Sequence, residues 1–190
     1  ASFPTAFNMI AWREICGTWR QISIPGQTIS IINIVKLVIA IDTSASCRGP
    51  VVRAFLRKTF SILKSSENFF HKINVHIIQC DSEVQSDTRI TCQEDFETFL
   101  RYGKLSGFGA TDFRPVFEYV EQLQEQGELE RLRGLIYFTD GYGIYPERMP
   151  DYDVIFAFLD EDENRGPVPP WSMKVILESD ELEDRQSDEH

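Results

Sequence analysis

Positive charge, histidine and closely spaced cysteines are all scarce in this sequence. Its 19 Lys and Arg against 30 Asp and Glu leave a formal net charge of -11. A field of that sign repels phosphate backbones and anionic membrane surfaces, so we expect neither a nucleic acid nor a membrane as partner. The four cysteines form no CxxC pair, which argues against a zinc knuckle and favours reduced thiols in a cytoplasmic protein.

Long apolar runs and catalytic signatures are absent too. The longest apolar region, residues 29–41, is broken by Ser30, Asn33 and Lys36 and falls short of the roughly 18 residues that a membrane helix needs. The chain opens on Ala1 without a basic segment before an apolar core, so we expect a fragment without a signal peptide. It contains neither an HExxH motif nor a GxSxG elbow, and we therefore expect no enzymatic activity in this chain.

What is present is an alternation of apolar strands and amphipathic helices. At 190 residues with 42% hydrophobic content, the chain suits one compact domain. Residues 34–41 are apolar with almost no alternation, which is typical of a parallel strand covered on both faces. Similar patterns predict further strands at residues 73–80, 135–141, 153–159 and 173–177, an antiparallel edge strand at 83–90, and helices at 51–63, 94–101 and 113–123. This alternation predicts an α/β fold, a three-layer sheet with helices on both faces.

Three segments follow from these patterns. Residues 34–177 form the predicted domain. Residues 1–33 are interpreted as an N-terminal extension or the remnant of an upstream domain, in which Trp12, Cys16 and Trp19 share helical spacing. Residues 178–190 are dominated by Asp and Glu, and we expect this acidic tail to be disordered.

Oxygen-bearing side chains follow the predicted strands at the edge where α/β sheets bind ligands. Asp42, Ser44 and Ser46 alternate after the first strand, so in an extended segment they point the same way. Thr111 precedes a helix, and Asp140 closes the strand "LIYFTD". Oxygen ligands of this kind suit Mg²⁺, whereas a soft metal would need His or Cys, which this constellation lacks.

Each of these residues also has a purely local interpretation. Asp42 or Ser46 could cap the following helix, Thr111 or Asp112 could cap the helix near Phe113, and Asp140 could belong to an ordinary turn. Taken singly the local interpretations are favoured, whereas the conjunction of three loops at one edge favours a metal site. Two residues outside the constellation are treated separately. Asp81 is either a partner of the metal ligands or a solvated turn residue, and His76 is interpreted as a packed or edge histidine.

These motifs resemble a known family. "DTSAS", the Thr111 of "GATDF" and the Asp140 of "FTDG" are similar to the metal ion-dependent adhesion site of von Willebrand factor A (VWA) domains. The resemblance covers about residues 34–177. More narrowly, "IQCDSEV", "GATDFRPVFEYV", "LIYFTDGYG" and "VPPW" resemble the VWA-like half of a bacterial predicted-metallopeptidase family.

The resemblance implies a Rossmann-like, six-stranded sheet in the order 3-2-1-4-5-6 with strand 3 antiparallel. It implies that Ser44, Ser46 and Thr111 contact Mg²⁺ directly or nearly so, while Asp42 and Asp140 often act through water. Mn²⁺ or Ca²⁺ are the expected substitutes. One departure stands out, because Ala110 occupies a position where relatives tend to have glycine, and a positive φ there would strain the loop.

The resemblance also implies a function. It indicates a Mg²⁺-dependent protein-binding module that recruits an acidic side chain of a partner. The module is expected within a larger metallopeptidase-like protein that works with a MoxR-class AAA+ ATPase. Two alternatives remain open at this point: a metal-dependent phosphohydrolase that uses Asp42 as its nucleophile, and a metal-free scaffold domain in which Ala110 has spoiled the loop.

Overall fold

A six-stranded mixed sheet organises the computed structural model, which describes residues 35–44, 47, 52–57, 59–60, 73–107, 109–159 and 166–177. Its strands are β1 Val35–Asp42, β2 Ile73–Cys80, β3 Val84–Ile90, β4 Gly134–Thr139, β5 Asp153–Leu159 and β6 Met173–Leu177. They lie in the order β3-β2-β1-β4-β5-β6, and only β3 runs antiparallel to its neighbour. The strand order and the direction of the third strand, both implied by the family resemblance, are confirmed.

Among the residues that the structure describes, three helical segments accompany the sheet. They are α1, whose described residues are 52–57 and 59–60, α2 Gln93–Tyr102 and α3 Arg114–Glu125. All three fall where the sequence predicted helices. The predicted N-terminal extension, the helical spacing of Trp12, Cys16 and Trp19, and the acidic tail lie outside the described residues.

The central strands are buried on both faces, which explains their continuous apolar sequence. Along β1, alternate side chains enter two separate cores. Leu37, Ile39 and Ile41 pack in the core that contains α1 and α2, whereas Val38 and Ala40 pack in the core that contains α3. The sheet is therefore the middle of three layers, as predicted.

 An aromatic cluster anchors the start of α3. Phe113, the residue before this helix, is fully buried, and its ring contacts those of Tyr137, Tyr145 and Phe156. Pro115 lies in the first turn, where its missing N–H costs no helical hydrogen bond. The helix therefore begins at a fixed point beside β4 and β5.

His76 and three cysteines have well-defined surroundings in the structure. His76 is buried in β2, and its Nδ1 lies 2.8 Å from Oδ2 of Asp87, which confirms a packed histidine. Cys47, Cys80 and Cys92 are free thiols. Within the described ranges, no helix combines the length and the apolar character needed to cross a membrane.

Candidate metal centre

Three aspartates stand at the carboxyl ends of three neighbouring parallel strands. Asp42 is the last residue of β1, Asp81 follows β2, and Asp140 follows β4. Because β1 lies between β2 and β4, the three residues share one edge of the sheet. The β1–β4 register pairs Ile41 with Phe138, so the next residue of β4, Thr139, comes beside Asp42.

Asp42 is fully buried and held by hydrogen bonds on both of its carboxylate oxygens. The backbone N–H of Ser44 donates to Oδ1 at 2.8 Å, and the hydroxyl of Thr139 donates to Oδ2 at 2.6 Å. Thr139 is itself fixed, because its Oγ1 accepts a hydrogen bond from the N–H of Gly141 at 3.0 Å. Gly141 has a φ of 90°, a conformation that glycine adopts without strain. The orientation of the Asp42 carboxylate is therefore set by two neighbouring strands.

Asp42 and Asp140 form a close pair of acids. One carboxylate oxygen of each, together with the Sγ of Cys47, lies within 4.8 Å of the other two atoms. Burial raises the pKa of Asp42, hydrogen bonds from Thr139 and Ser44 oppose that rise, and the negative charge of Asp140 adds to it. A cation between the two carboxylates would relieve both the burial cost and the repulsion.

Cys47 is the residue that the sequence interpretation missed. The expectation that no soft ligand is present was wrong, because the Cys47 thiol lies beside both acids. Burial and the charges of Asp42 and Asp140 raise the pKa of this thiol, so without a cation it stays protonated. A signal was available in the sequence, since Cys47 directly follows "DTSAS".

The two predicted serine ligands differ in what the structure says of them. Ser44 is buried beside Asp42, and its hydroxyl contributes to lowering the pKa of that carboxyl. Ser46 lies outside the described residues, so its part in the site stays a prediction.

Thr111 lies against the loop that follows Asp140. A Cβ added to Gly143 would come within 2.7 Å of the Thr111 methyl carbon, which shows how closely the two segments pack. The contact continues at the next residues, where the N–H of Phe113 donates to the carbonyl of Ile144 at 3.0 Å. Among the described residues, no hydrogen bond of the Thr111 hydroxyl is found. The two loops that carry Thr111 and Asp140 are thus packed together.

The local interpretations hold for some of these residues. Asp112 accepts hydrogen bonds from the backbone N–H and the guanidinium of Arg114 in the first turn of α3, although the N-cap residue itself is Phe113. Asp140 does take part in a turn, because its Oδ1 accepts a hydrogen bond from the N–H of Tyr142 at 3.1 Å. The turn and the acidic pair coexist.

Ala110 does not strain its loop. Within the described part of the chain, Arg131 is the one non-glycine residue with a positive φ, so Ala110 has an ordinary backbone conformation. The left-handed residue of this loop is Gly107, with a φ of 124°. The concern that alanine spoils the loop is therefore not supported.

Comparison with protein families identifies the domain. Residues 37–178 match the family described as "VWA-like domain (DUF2201)", and the chain belongs to this family. A search of curated proteins found no match. The resemblance to VWA domains is thus confirmed for the domain and its fold, while the adhesion-type metal site and the metallopeptidase relationship stay predictions.

Solved structures share the fold at low sequence identity. Proximal thread matrix protein 1 from the mussel byssus has a TM-score of 0.57 at 12% identity, over 78% of this chain and 44% of that one. BatB from Bacteroides thetaiotaomicron has a TM-score of 0.51 at 14% identity, over 76% of this chain and 90% of that one. An aerotolerance-related membrane protein from Bacteroides fragilis has a TM-score of 0.50 at 12% identity, over 77% and 93%. Identities this low show a common fold alone.

Proposed function

We propose that this domain is a metal-dependent protein-binding module. Asp42, Ser44, Ser46, Thr111 and Asp140 would hold one divalent cation, Mg²⁺ in the first place, with Mn²⁺ or Ca²⁺ as substitutes. The bound cation would supply the positive charge that attracts an acidic side chain of a protein partner. Membership of the VWA-like family supports recognition of a protein.

The acidic pair is the observation that carries this proposal. Asp42 is fully buried, yet its carboxylate lies within 4.8 Å of the Asp140 carboxylate. Two like charges in such a place destabilise each other unless a proton or a cation intervenes. Hard carboxylate and hydroxyl oxygens are the ligands that Mg²⁺ prefers.

The chain's own residues prepare the site for this role. Ser44 and Thr139 fix the Asp42 carboxylate by hydrogen bonds, as supporting residues do at protein metal sites. Two aspartates beside a divalent cation are formally neutral. An approaching carboxylate therefore meets no local repulsion, although the whole chain carries a net charge of -11.

The surface next to Asp140 favours a protein as the partner. Tyr142 and Ile144 follow Asp140 closely in the sequence and are 50% and 52% exposed. The hydrogen bond from Phe113 to the Ile144 carbonyl holds this segment in place, so the apolar side chains stand on a fixed backbone. Exposed aromatic and aliphatic side chains of this kind are common where proteins bind one another.

The wider biological setting rests on the sequence resemblance. We propose that the domain works in the cytoplasm, within a larger metallopeptidase-like protein, and that its partner is a MoxR-class AAA+ ATPase. In this proposal the domain binds the partner and does not catalyse a reaction.

The two alternatives are less well supported. A nucleophilic Asp42 would need an accessible oxygen, whereas this side chain is fully buried with a hydrogen bond on each oxygen. A metal-free scaffold was suggested by Ala110, whose backbone conformation is ordinary. Release of phosphate from a generic ester with Mg²⁺, abolished by Asp42→Asn, would favour the phosphohydrolase.

Isothermal titration with Mg²⁺ and Mn²⁺ tests the proposal. The wild type should bind one ion, and Asp42→Ala should bind none, because the buried ligand is lost. Glu147→Gln is the matched control, since it removes an exposed acid from the loop that follows Asp140 and should leave binding unchanged. Equal and negligible heats for the wild type and Asp42→Ala would end the idea.

Partner binding requires a separate experiment. The purified domain should bind the MoxR-class ATPase encoded in the same genome in the presence of Mg²⁺, and EDTA or Asp42→Ala should abolish the complex. A complex that forms equally well in EDTA would show that recognition does not use the metal.

A further inference from the structure

Asp81 directly follows β2, the strand next to β1, and lies outside the cluster of Asp42, Cys47 and Asp140. The sequence predicts either a partner of the metal ligands or a solvated turn residue at this position. The second interpretation is wrong, because Asp81 is only 5% exposed. Its surroundings show a different use of the carboxylate.

The Asp81 side chain accepts hydrogen bonds from two directions. Oδ1 accepts from the backbone N–H of Glu83 at 3.2 Å and from the side-chain amide of Gln85 at 2.9 Å. Oδ2 accepts from the backbone N–H of Gly109 at 2.9 Å. The hydrogen bonds of Oδ1 therefore fix Asp81 on the turn between β2 and β3, and the hydrogen bond of Oδ2 holds the glycine-rich loop.

Asp81 holds that loop on both sides of Thr111. Its side chain binds the N–H of Gly109, and its backbone carbonyl accepts a hydrogen bond from the N–H of Asp112 at 3.0 Å. Thr111 lies between these two attachment points. Its place relative to β1 and β4 therefore depends on Asp81.

Two glycines make this close contact possible. A Cβ on Gly109 would lie 2.8 Å from Asp81 Oδ2. A Cβ on Gly107 would lie 2.5 Å from the hydroxyl oxygen of Thr43 and 3.1 Å from Asp81 Oδ2. Gly107 also has a φ of 124°, which other residues rarely adopt. The loop thus passes directly over Asp81 and over Thr43, the neighbour of Asp42.

Gln79 extends the attachment toward the beginning of the loop. It lies two residues before Asp81 on β2, so the two side chains point the same way. Its side-chain amide donates to the carbonyl of Lys104 at 2.9 Å and its Oε1 accepts from the N–H of Ser106 at 2.8 Å. The end of β2 therefore binds the loop at four places.

We propose that Asp81, together with Gln79, positions Thr111 beside the acidic pair of Asp42 and Asp140. Asp81 is thus a positioning residue of the metal centre and does not bind the metal itself. This inference rests on the proposed function. Hydrogen-bond donors already surround the Asp81 carboxylate, and they compensate its charge locally. The carboxylate therefore gains less from a cation than Asp42 does.

Manganese titration and hydrogen exchange of two variants test the inference. Asp81→Asn keeps the size of the side chain and weakens its acceptor role, and Gln79→Met removes the neighbouring attachment without changing the charge. We expect each variant to lower the affinity for Mn²⁺ about tenfold and to speed amide exchange in residues 109–112 or 104–106 respectively. Glu121→Gln, which removes an exposed acid from α3, is the control and should change neither quantity.

The outcomes separate this inference from the proposed function. If the wild type binds no Mn²⁺, the proposed function fails and the metal-directed part of the inference fails with it, while exchange at residues 109–112 still reports whether Asp81 holds the loop. If the wild type binds Mn²⁺ and both variants bind it equally well, the positioning role is overturned. A loss of affinity in Asp81→Asn alone, with unchanged exchange, would also overturn it, because Asp81 would then act through its charge.

Discussion

Asp42 ends β1 and Asp81 directly follows the neighbouring strand β2; they are 0% and 5% exposed, yet their pKa values shift in opposite directions. Burial raises the pKa of Asp42, and the donors around it do not reverse that rise. Burial acts in the same sense on Asp81, but hydrogen bonds from Gly109, Gln85 and Glu83 lower its pKa overall. The same residue type at the same kind of position therefore has two different electrostatic environments.

The difference lies in the neighbours of each carboxylate. N–H groups surround the Asp81 carboxylate, and one of their hydrogen bonds holds the glycine-rich loop in place. Asp42 has a second acid, Asp140, within 4.8 Å. A buried acid with enough donors stabilises the fold, whereas a buried acid beside another acid calls for a cation.

Removing the second acid should remove the metal. We predict that Asp140→Asn lowers the affinity for Mg²⁺ and Mn²⁺ at least about 100-fold, because the site loses a charge that offsets the dication. Titration calorimetry measures the loss, and Glu147→Gln again serves as control. An affinity within a few-fold of wild type would mean that Asp42 and Asp140 do not share one ion.

Removing the charge of Asp81 should destabilise the fold. We predict that Asp81→Asn lowers the free energy of unfolding by about 1.5–3 kcal/mol near pH 7, the usual range for hydrogen bonds to a charged group. A lowered pKa means that this stability is present above the ordinary aspartate pKa of 3.8 and is lost as the pH falls through the folded value. Urea unfolding at several pH values measures both effects. A constant difference between pH 7 and pH 3 would contradict the assignment.

Removing the charge of Asp42 should stabilise the fold when no metal is present, the opposite of the effect predicted for Asp81. A raised pKa means that the folded chain loses stability as the pH rises from the ordinary value of 3.8 through the folded value. Asp42→Asn lacks this penalty, so in EDTA near pH 7 its free energy of unfolding should be higher than that of the wild type. The gain should vanish in acid. A variant less stable than wild type at both pH values would show that the Thr139 hydrogen bond dominates.

Replacing the thiol should have the smallest effect on hard metals. We predict that Cys47→Ser changes the affinity for Mg²⁺ less than about twofold, since Mg²⁺ favours oxygen, and lowers the affinity for Cd²⁺ about tenfold. Competition between the two ions in calorimetry measures the ratio. Equal losses for both ions would indicate that Cys47 supports the site in another way.

The sequence predicted the sheet well because its strands are buried on both faces. β2, β5 and β6 have the predicted bounds, since their apolar runs end at polar or proline-rich segments. β4 is shorter than predicted and ends at Thr139. The strand ends there because the Thr139 hydroxyl accepts a hydrogen bond from the N–H of Gly141. The φ of 90° at Gly141 turns the chain out of the sheet.

The site was predictable where it depends on strand ends and not where it depends on loop paths. Asp42 and Asp140 come together because their strands are neighbours. The supporting role of Thr139 required the β1–β4 register, and the role of Asp81 required the path of the loop from Lys104 to Asp112. Neither the register of two strands nor the path of a loop can be obtained from the spacing of motifs in one sequence.

Anomalous diffraction from a crystal soaked in Mn²⁺ tests the central claim most directly. The account predicts one manganese peak between the carboxylates of Asp42 and Asp140, and no peak at the carboxylate of Asp81. A peak at Asp81, or none beside Asp42, would contradict it.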